Sequence, residues 1–372
     1  MTFGTPRALY VHIPFCPHIC PYCDFHKMRR SENLVARYLA RLEQEAAELC
    51  KAFPAQLETI YFGGGTPSHL TDAELAQLVG ALRDTWGFPA ARETTLEADP
   101  QTFDKARLET FRALGFDRLS IGLQSTQDEV LSFLGRAHSG AEGMAAVEMA
   151  LAAGFEVTAD LITGITGQDT EADLRTLAET GVAHMSVYSL TVEPYTPFAL
   201  RGVKVDEAKE SADFELAEKV LSEYGLVRYE VSSHAQPGHE SKHNQAYWRG
   251  DYFLHLGPSA AGFVPSAEAE LVGERRSNAP IKSWLECTAP ETDPISPQAY
   301  ALDVLLSGLR TRAGVDLGLL KKRSGFDLLK AYGELVDELA RHGLLELSGT
   351  HLRTTGMGLQ QLNGIVRRFW NA

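Results

Sequence analysis

Cysteine is scarce in this sequence, five in 372 residues, and three of the five fall between positions 16 and 23. Cysteines so placed make no disulfide framework, and they fit a reducing compartment in which thiolates are kept for metal. Positive charge is also in deficit: 35 Lys and Arg stand against 49 Asp and Glu, a formal net charge of −14. That balance argues against a chain that lives on nucleic acid or anionic lipid and favours small-molecule or protein partners. No apolar run approaches the roughly 18 residues that a membrane-spanning helix requires. Met1 to Arg7 lack the charged-then-apolar pattern of a signal segment, so a cytoplasmic location is expected. What remains, 44% hydrophobic and 23% charged, is an ordinary globular composition.

The clustered cysteines organise the rest. Three residues separate Cys16 from Cys20 and two separate Cys20 from Cys23, so a short loop can turn all three thiolates onto one small object. A [4Fe–4S] cluster suits them, because each iron needs one ligand from outside the cube and three cysteines leave one iron open to a substrate. Two other readings stand beside it. A tetrahedral zinc site could take His26 or His18 as its fourth ligand, or the three could be buried free thiols. Cys50 falls on the apolar stripe of a predicted helix and reads as a small hydrophobe.

Leu9 to Ile13 reads as a short buried strand ending at Pro14, which delivers the cysteine loop. Further strands are predicted at Thr59 to Phe62, Thr94 to Glu97, Arg118 to Leu123, Val157 to Ile162 and Met185 to Leu190. Helices are predicted over about 32–51, 72–86, 102–114, 127–134, 141–153 and 170–180. Strands alternating with helices predict a parallel sheet with right-handed crossovers. Six such units, not eight, predict an α/β fold: a partial, open (β/α)6 TIM-like barrel with its chemistry at the C-terminal ends of the strands. The residues at those ends agree. They are the cysteine loop, Gly63 to Pro67, Glu97, Gln124 and Asp160. A glycine run commonly means only a tight turn, but it also lets the backbone approach a ligand.

After an amphipathic helix over about 206–224, the stretch Arg228 to Gly262 gathers His234, His239, His243 and His255 with Tyr229, Tyr247, Trp248, Tyr252 and Phe253. Aromatics at this density usually make core. The functional alternative is a flat apolar surface for a macrocycle, with an imidazole for its iron. Val264 to Pro294 carries four prolines and reads as a linker. Ser296 and Pro297 open a helical region, and a hairpin over 344–354 follows it, predicting a winged-helix-like α+β accessory domain. In so acidic a chain that domain suggests protein or substrate docking rather than DNA. The expected divisions are 1–228, 229–294 and 295–372.

With Cys16, Cys20 and Cys23 after one strand and Gly63 to Pro67 after the next, the sequence resembles the radical S-adenosylmethionine (SAM) superfamily. It is more closely similar to the oxygen-independent coproporphyrinogen III oxidase group and, within it, to the heme chaperone branch. Three features separate chaperone from oxidase. Phe25 stands where the oxidase pattern has a further cysteine, and only fifteen residues precede Cys16, where the oxidase has a substantial extension. His243, Asn244, Gln245, Ala246, Tyr247 and Trp248 match the branch's His-Asn-x-x-Tyr-Trp motif.

The resemblance implies that Cys16, Cys20 and Cys23 hold three irons of a [4Fe–4S] cluster and that SAM chelates the fourth. It places Gly64, Gly65 and Thr66 at the methionine end of SAM, with Tyr10, Tyr22, Glu97, Gln124, Arg136 and Asp160 around the remainder. Chemically the set is sensible, since a carboxylate suits ribose hydroxyls or an ammonium and Arg suits a carboxylate. The resemblance further implies heme as cargo with His243 as its ligand, delivery to heme-accepting proteins including membrane-bound respiratory complexes, and a cluster-dependent homodimer. Decarboxylation of coproporphyrinogen III is the alternative activity, and a zinc-bearing scaffold without redox chemistry is a third reading. One departure stands out: where the family continues Tyr-Gly-Leu-Pro after Ile162, this chain has Thr163, Gly164, Ile165 and Thr166.

Overall fold

A computed structural model describes residues 4–87 and 93–371; the ends of the expected first and last divisions, 1–3 and 372, lie outside the described residues, as does 88–92. Six strands of one sheet come first, with a separate short pair, Phe15–Cys16 and Met28–Arg29, after the first of them: β1 (Ala8–Ile13), β2 (Thr59–Gly64), β3 (Glu93–Ala98), β4 (Arg118–Gln124), β5 (Glu156–Thr163) and β6 (His184–Ser189). Helices α1 (Glu32–Ala52), α2 (Asp72–Trp86), α3 (Lys105–Ala113), α4 (Asp128–Phe133), α5 (Gly140–Ala152) and α6 (Thr170–Ala178) cross between them. Side-chain caps fix where two of these helices begin. Thr71 and Glu74 close a capping box on α2, and Ser139 and Glu142 close another on α5.

Along the strands the residues alternate, as the period of two demands. Leu9, Val11, Ile13, Ile60, Phe62, Leu119, Ile121, Val157 and Leu161 are buried in the main apolar core. Each side chain so buried contributes about 1.5–3 kcal/mol relative to exposure. Their neighbours Tyr61, Glu97, Ser120, Gln124 and Asp160 line the opposite, inner face. The apolar core therefore lies between sheet and helices, and the inside of the barrel is polar.

After α7 (Pro197–Leu200) and α8 (Glu207–Glu223), the short strands β7 (Val227–Arg228) and β8 (Ser233–Ala235) extend the sheet antiparallel beyond β6. The stretch that follows is not separate from the barrel. Its helix α9 (Lys242–Trp248) leads into β9 (Phe253–Leu256), which pairs parallel with β1, Ala8 beside Phe253 and Val11 beside Leu256. The reading of 264–294 as a linker is corrected here. It holds the end of β10 (Ala261–Val264), then β11 (Gly273–Ser277), α10 (Ile281–Leu285) and most of β12 (Glu291–Ile295). The prolines mislead because they sit where regular structure tolerates them: Pro280 at the start of α10, and Pro294 on a strand at the sheet's edge. The result is an open twelve-stranded sheet in the order β12-β11-β10-β9-β1-β2-β3-β4-β5-β6-β8-β7.

The C-terminal unit combines α11 (Pro297–Gly308), α12 (Leu317–Ser324) and α13 (Leu328–Arg341) with a three-stranded sheet of β13 (Val315–Asp316), β14 (Leu345–Ser348) and β15 (His351–Thr354). Ser296 caps α11 through its hydroxyl, with Pro297 in the first turn. Two helices, α14 (Gly356–Gln360) and α15 (Leu362–Asn371), close the unit. Its core, which includes Tyr300, Leu339 and Phe369, also takes in Val272, just before β11, and Ile295 at the end of β12. No helix among the described residues is long and apolar enough to cross a membrane.

Candidate functional site

A cavity of about 420 Å³ opens at the C-terminal ends of the barrel strands. Cys16, Cys20, Tyr22, Cys23, Gly64, Gly65, Thr66, Glu97, Gln124, Arg136 and Asp160 all line it. Two backbone hydrogen bonds pin the glycine loop to the cysteine loop: Gly65 N–H donates to Ile13 C=O at 2.8 Å, and Thr66 N–H to Phe15 C=O at 2.9 Å. Glycine is required at both turning positions. A Cβ on Gly64, whose φ is +115°, would lie 2.6 Å from the His12 ring, and one on Gly65 would lie 2.8 Å from the Pro14 carbonyl carbon and 3.0 Å from Cys16 Sγ. Gln124 ends β4 beside a register irregularity with φ at +70°, a conformation that costs a non-glycine residue on the order of 1 kcal/mol or more and is common at binding sites.

Charge is arranged deliberately around this cavity. Arg136 donates to Asp99 Oδ2 at 2.6 Å and to Gly122 C=O at 2.8 Å, and its other terminal nitrogen lies 3.5 Å from Cys20 Sγ. Burial by itself would raise the Cys20 thiol, but His18 and Arg136 bring it below the ordinary value. Cys16 lacks that help and is pushed up to about 11 by burial. Glu97 is raised by burial although it accepts from the Tyr61 hydroxyl at 2.8 Å and from Gly64 N–H at 2.9 Å. Asp160 is pushed up to about 7, first by burial and then by Glu97, while Ser186 and Ser120 oppose the shift.

Of the two histidines that could complete a zinc site, His18 lies within hydrogen-bonding reach of Cys20. Among the described residues no three His, Cys, Asp or Glu side chains are gathered closely enough to share one ion. His26 Nε2 accepts from Ile281 N–H on α10 instead of facing the cysteines. A cube, whose irons each take one thiolate, needs no such convergence.

Two expected site residues are not on the cavity wall. Tyr10 lies a layer below, its hydroxyl bonded to His12 Nδ1 at 3.0 Å and its ring stacked on Tyr61. His243, expected as a heme ligand, is fully buried at the other end of the barrel. Its Nδ1 is bonded to Thr59 Oγ1 at 2.9 Å and its Nε2 to the Tyr247 hydroxyl at 2.6 Å, so both ring nitrogens are engaged by side chains. Burial lowers its pKa to about 3. The aromatics of Arg228 to Gly262 pack largely on one another and are mostly half-buried: Tyr247 on Phe253, Tyr229 on Trp248 and Tyr252 on Phe263.

Other wall residues were not expected, among them Tyr61, Asp99, Ser120 and Tyr188. Inspecting strand ends misses them. The alternation along β2, β4 and β6 would find Tyr61, Ser120 and Tyr188, and carrying it one residue past the end of β3 would find Asp99. The unusual Thr163 to Thr166 loop keeps glycine where φ is positive, at Gly164, whose N–H donates to Asp213 at 2.9 Å, and buries Ile165 with Val130 and Phe198.

Residues 10–180 match the Radical SAM superfamily, and residues 295–360 match the HemN C-terminal domain. Heme chaperone HemW of Bacillus subtilis is 31% identical over 95% of this chain and 96% of its own length. Heme chaperone HemW of Mycobacterium tuberculosis is 32% identical over 98% of this chain and 95% of its own. The solved structure of coproporphyrinogen III oxidase (HemN) from Escherichia coli, a radical SAM enzyme, superposes with a TM-score of 0.84 over 99% of this chain and 91% of that one, at 23% identity. That last likeness is one of fold.

Proposed function

Because the chain belongs to the radical SAM superfamily and, within it, to the heme chaperone HemW family, we propose that it binds a [4Fe–4S] cluster and SAM at the barrel mouth and carries heme to heme-accepting proteins. One observation supports this most: three cysteines, a glycine cradle that a Cβ would obstruct, two carboxylates with raised pKa and a buried Arg136 share one cavity. Those residues fit the two groups. Cys16, Cys20 and Cys23 would hold the cluster, which supplies one-electron chemistry when bound. Gly64, Gly65 and Thr66 would seat the methionine end of SAM, with Glu97, Gln124 and Asp160 along the rest. Arg136 would hold Asp99 in place and its charge beside Cys20.

The heme part of the proposal rests on what the relatives are named for. Phe25, 65% exposed at the cavity rim, occupies the position of the oxidase's extra cysteine and supports the chaperone over the oxidase. We also propose a cytoplasmic protein that dimerises with its cluster. The test is an anaerobic titration of the reconstituted protein with hemin, in parallel with incubation with SAM, a reductant and coproporphyrinogen III. A saturable change in heme absorbance with the porphyrinogen left intact is expected. Consumption of coproporphyrinogen III with release of carbon dioxide overturns the chaperone reading.

A further inference from the structure

The heme chaperone motif and the SAM cavity meet inside the barrel at one side chain. Tyr61 stacks on His243 with ring centroids 5.2 Å apart and planes inclined by 28°. On its other side the Tyr61 hydroxyl donates to Glu97 Oε1 at 2.8 Å, while Gly64 N–H holds Oε2 at 2.9 Å. Room for this contact is made by Gly63, where a Cβ would lie 2.8 Å from Tyr61 Cε1 and 3.0 Å from Glu97 Oε1. His243 in turn cannot move. Thr59 and Tyr247 hold both ring nitrogens, and its backbone N–H donates to the buried Glu93 at 2.9 Å.

We propose that His243 is a positioning residue for Glu97, acting through Tyr61, and thereby sets the affinity for SAM instead of binding iron. The motif then belongs to the SAM site, as the rigid floor that fixes the direction of one carboxylate. The proposal rests on the reading that Glu97 contacts SAM. A carboxylate aimed at ribose hydroxyls or an ammonium is useful only while its two oxygens stay oriented, and Tyr61 supplies one of its two anchors.

The test is a double-mutant cycle on the full-length reconstituted protein, reading SAM affinity by equilibrium dialysis and the SAM-induced change in the electron paramagnetic resonance spectrum of the reduced cluster. His243→Ala and Tyr61→Phe should each weaken SAM binding about fivefold, and His243→Ala should add less than about twofold in the Tyr61→Phe background. His243→Gln keeps a polar contact to Thr59 or Tyr247 without the stacked ring; it should weaken SAM binding as the alanine does and serves as the second variant if the alanine is unstable. Independent, additive losses overturn the proposal, since a merely structural histidine would not act through the Tyr61 hydroxyl. Retained SAM affinity with loss of the hemin absorbance change also overturns it and makes His243 a heme residue. If Glu97→Gln leaves SAM affinity unchanged, the SAM-contact reading itself fails, whatever His243 does.

Discussion

The two ends of the barrel hold equally polar side chains and use them oppositely. At the N-terminal end, polar groups are largely paired with one another, though the buried His184 Nδ1 has no hydrogen-bond partner among the described residues. Arg118 Nη1 donates to Thr158 at 3.0 Å and Nη2 to His239 C=O at 2.7 Å, while its Nε lies 3.3 Å from Glu93. Glu93 also accepts from Ser241, Lys242 and His243. Both charged side chains are 4% exposed, and the network seats α9 beneath the strands as a plug. At the C-terminal end, Glu97, Asp160 and Gln124 face an open cavity, and burial raises both carboxyls. A polar barrel interior is therefore not a site by itself. What distinguishes the site is polar groups that face open space, beside backbone that has room for a ligand.

Substitutions can break or sharpen this contrast. The largest effect belongs to the cysteines: Cys20→Ala should abolish cluster assembly, read as loss of iron and sulfide after anaerobic reconstitution, while circular dichroism stays native. Next comes the plug. Arg118→Ala strands Glu93 in the interior and should cost about 3–5 kcal/mol in denaturant unfolding, because removing one partner of a buried pair leaves an uncompensated charge. A loss under about 1 kcal/mol would show that the N-terminal end is wetter than its burial implies.

Asp160 should behave in the opposite sense. Its pKa in the fold, about 7, lies above the ordinary carboxylate value, so the folded chain binds more protons than the unfolded one between those two values. Stability of the protein without SAM should therefore fall as pH rises through that window. Asp160→Asn should raise stability at pH 8 by about 1–2 kcal/mol, with the gain vanishing at low pH, and should weaken SAM binding. A melting curve whose pH dependence is unchanged by the substitution would contradict this. The smallest effect is expected at the rim, where Phe25→Ser should alter stability by less than about 0.5 kcal/mol, as exposed positions do.

Much of this was legible in the chain, for reasons that lie in local chemistry. The six barrel strands announce themselves as short apolar runs, and the cysteine and glycine loops follow β1 and β2 directly, so a strand-end rule suffices to bring them together. Capping residues such as Thr71 and Ser296 act on donors within three residues, which sequence displays in full. The surroundings of His243 are less legible, because its ring partners Thr59 and Tyr247 lie 184 and 4 residues away and only the second is within reach of local pattern. The prolines of 264–294 were misjudged because an edge strand and an interior strand look alike until the sheet order is known.

The sequence by itself determined the cofactor-binding chemistry of the mouth and the repeating units that carry it, because cysteine spacing, glycine runs and strand–helix alternation are short-range constraints. Only the tertiary structure decided which polar residues remain open to a ligand and which are consumed. Glu93 and Glu97 lie four residues apart on one inward strand face, and nothing local separates them. Arg118 and the backbone of α9 close the first, while a cavity waits beside the second, and that difference exists only once strands remote in sequence are brought side by side.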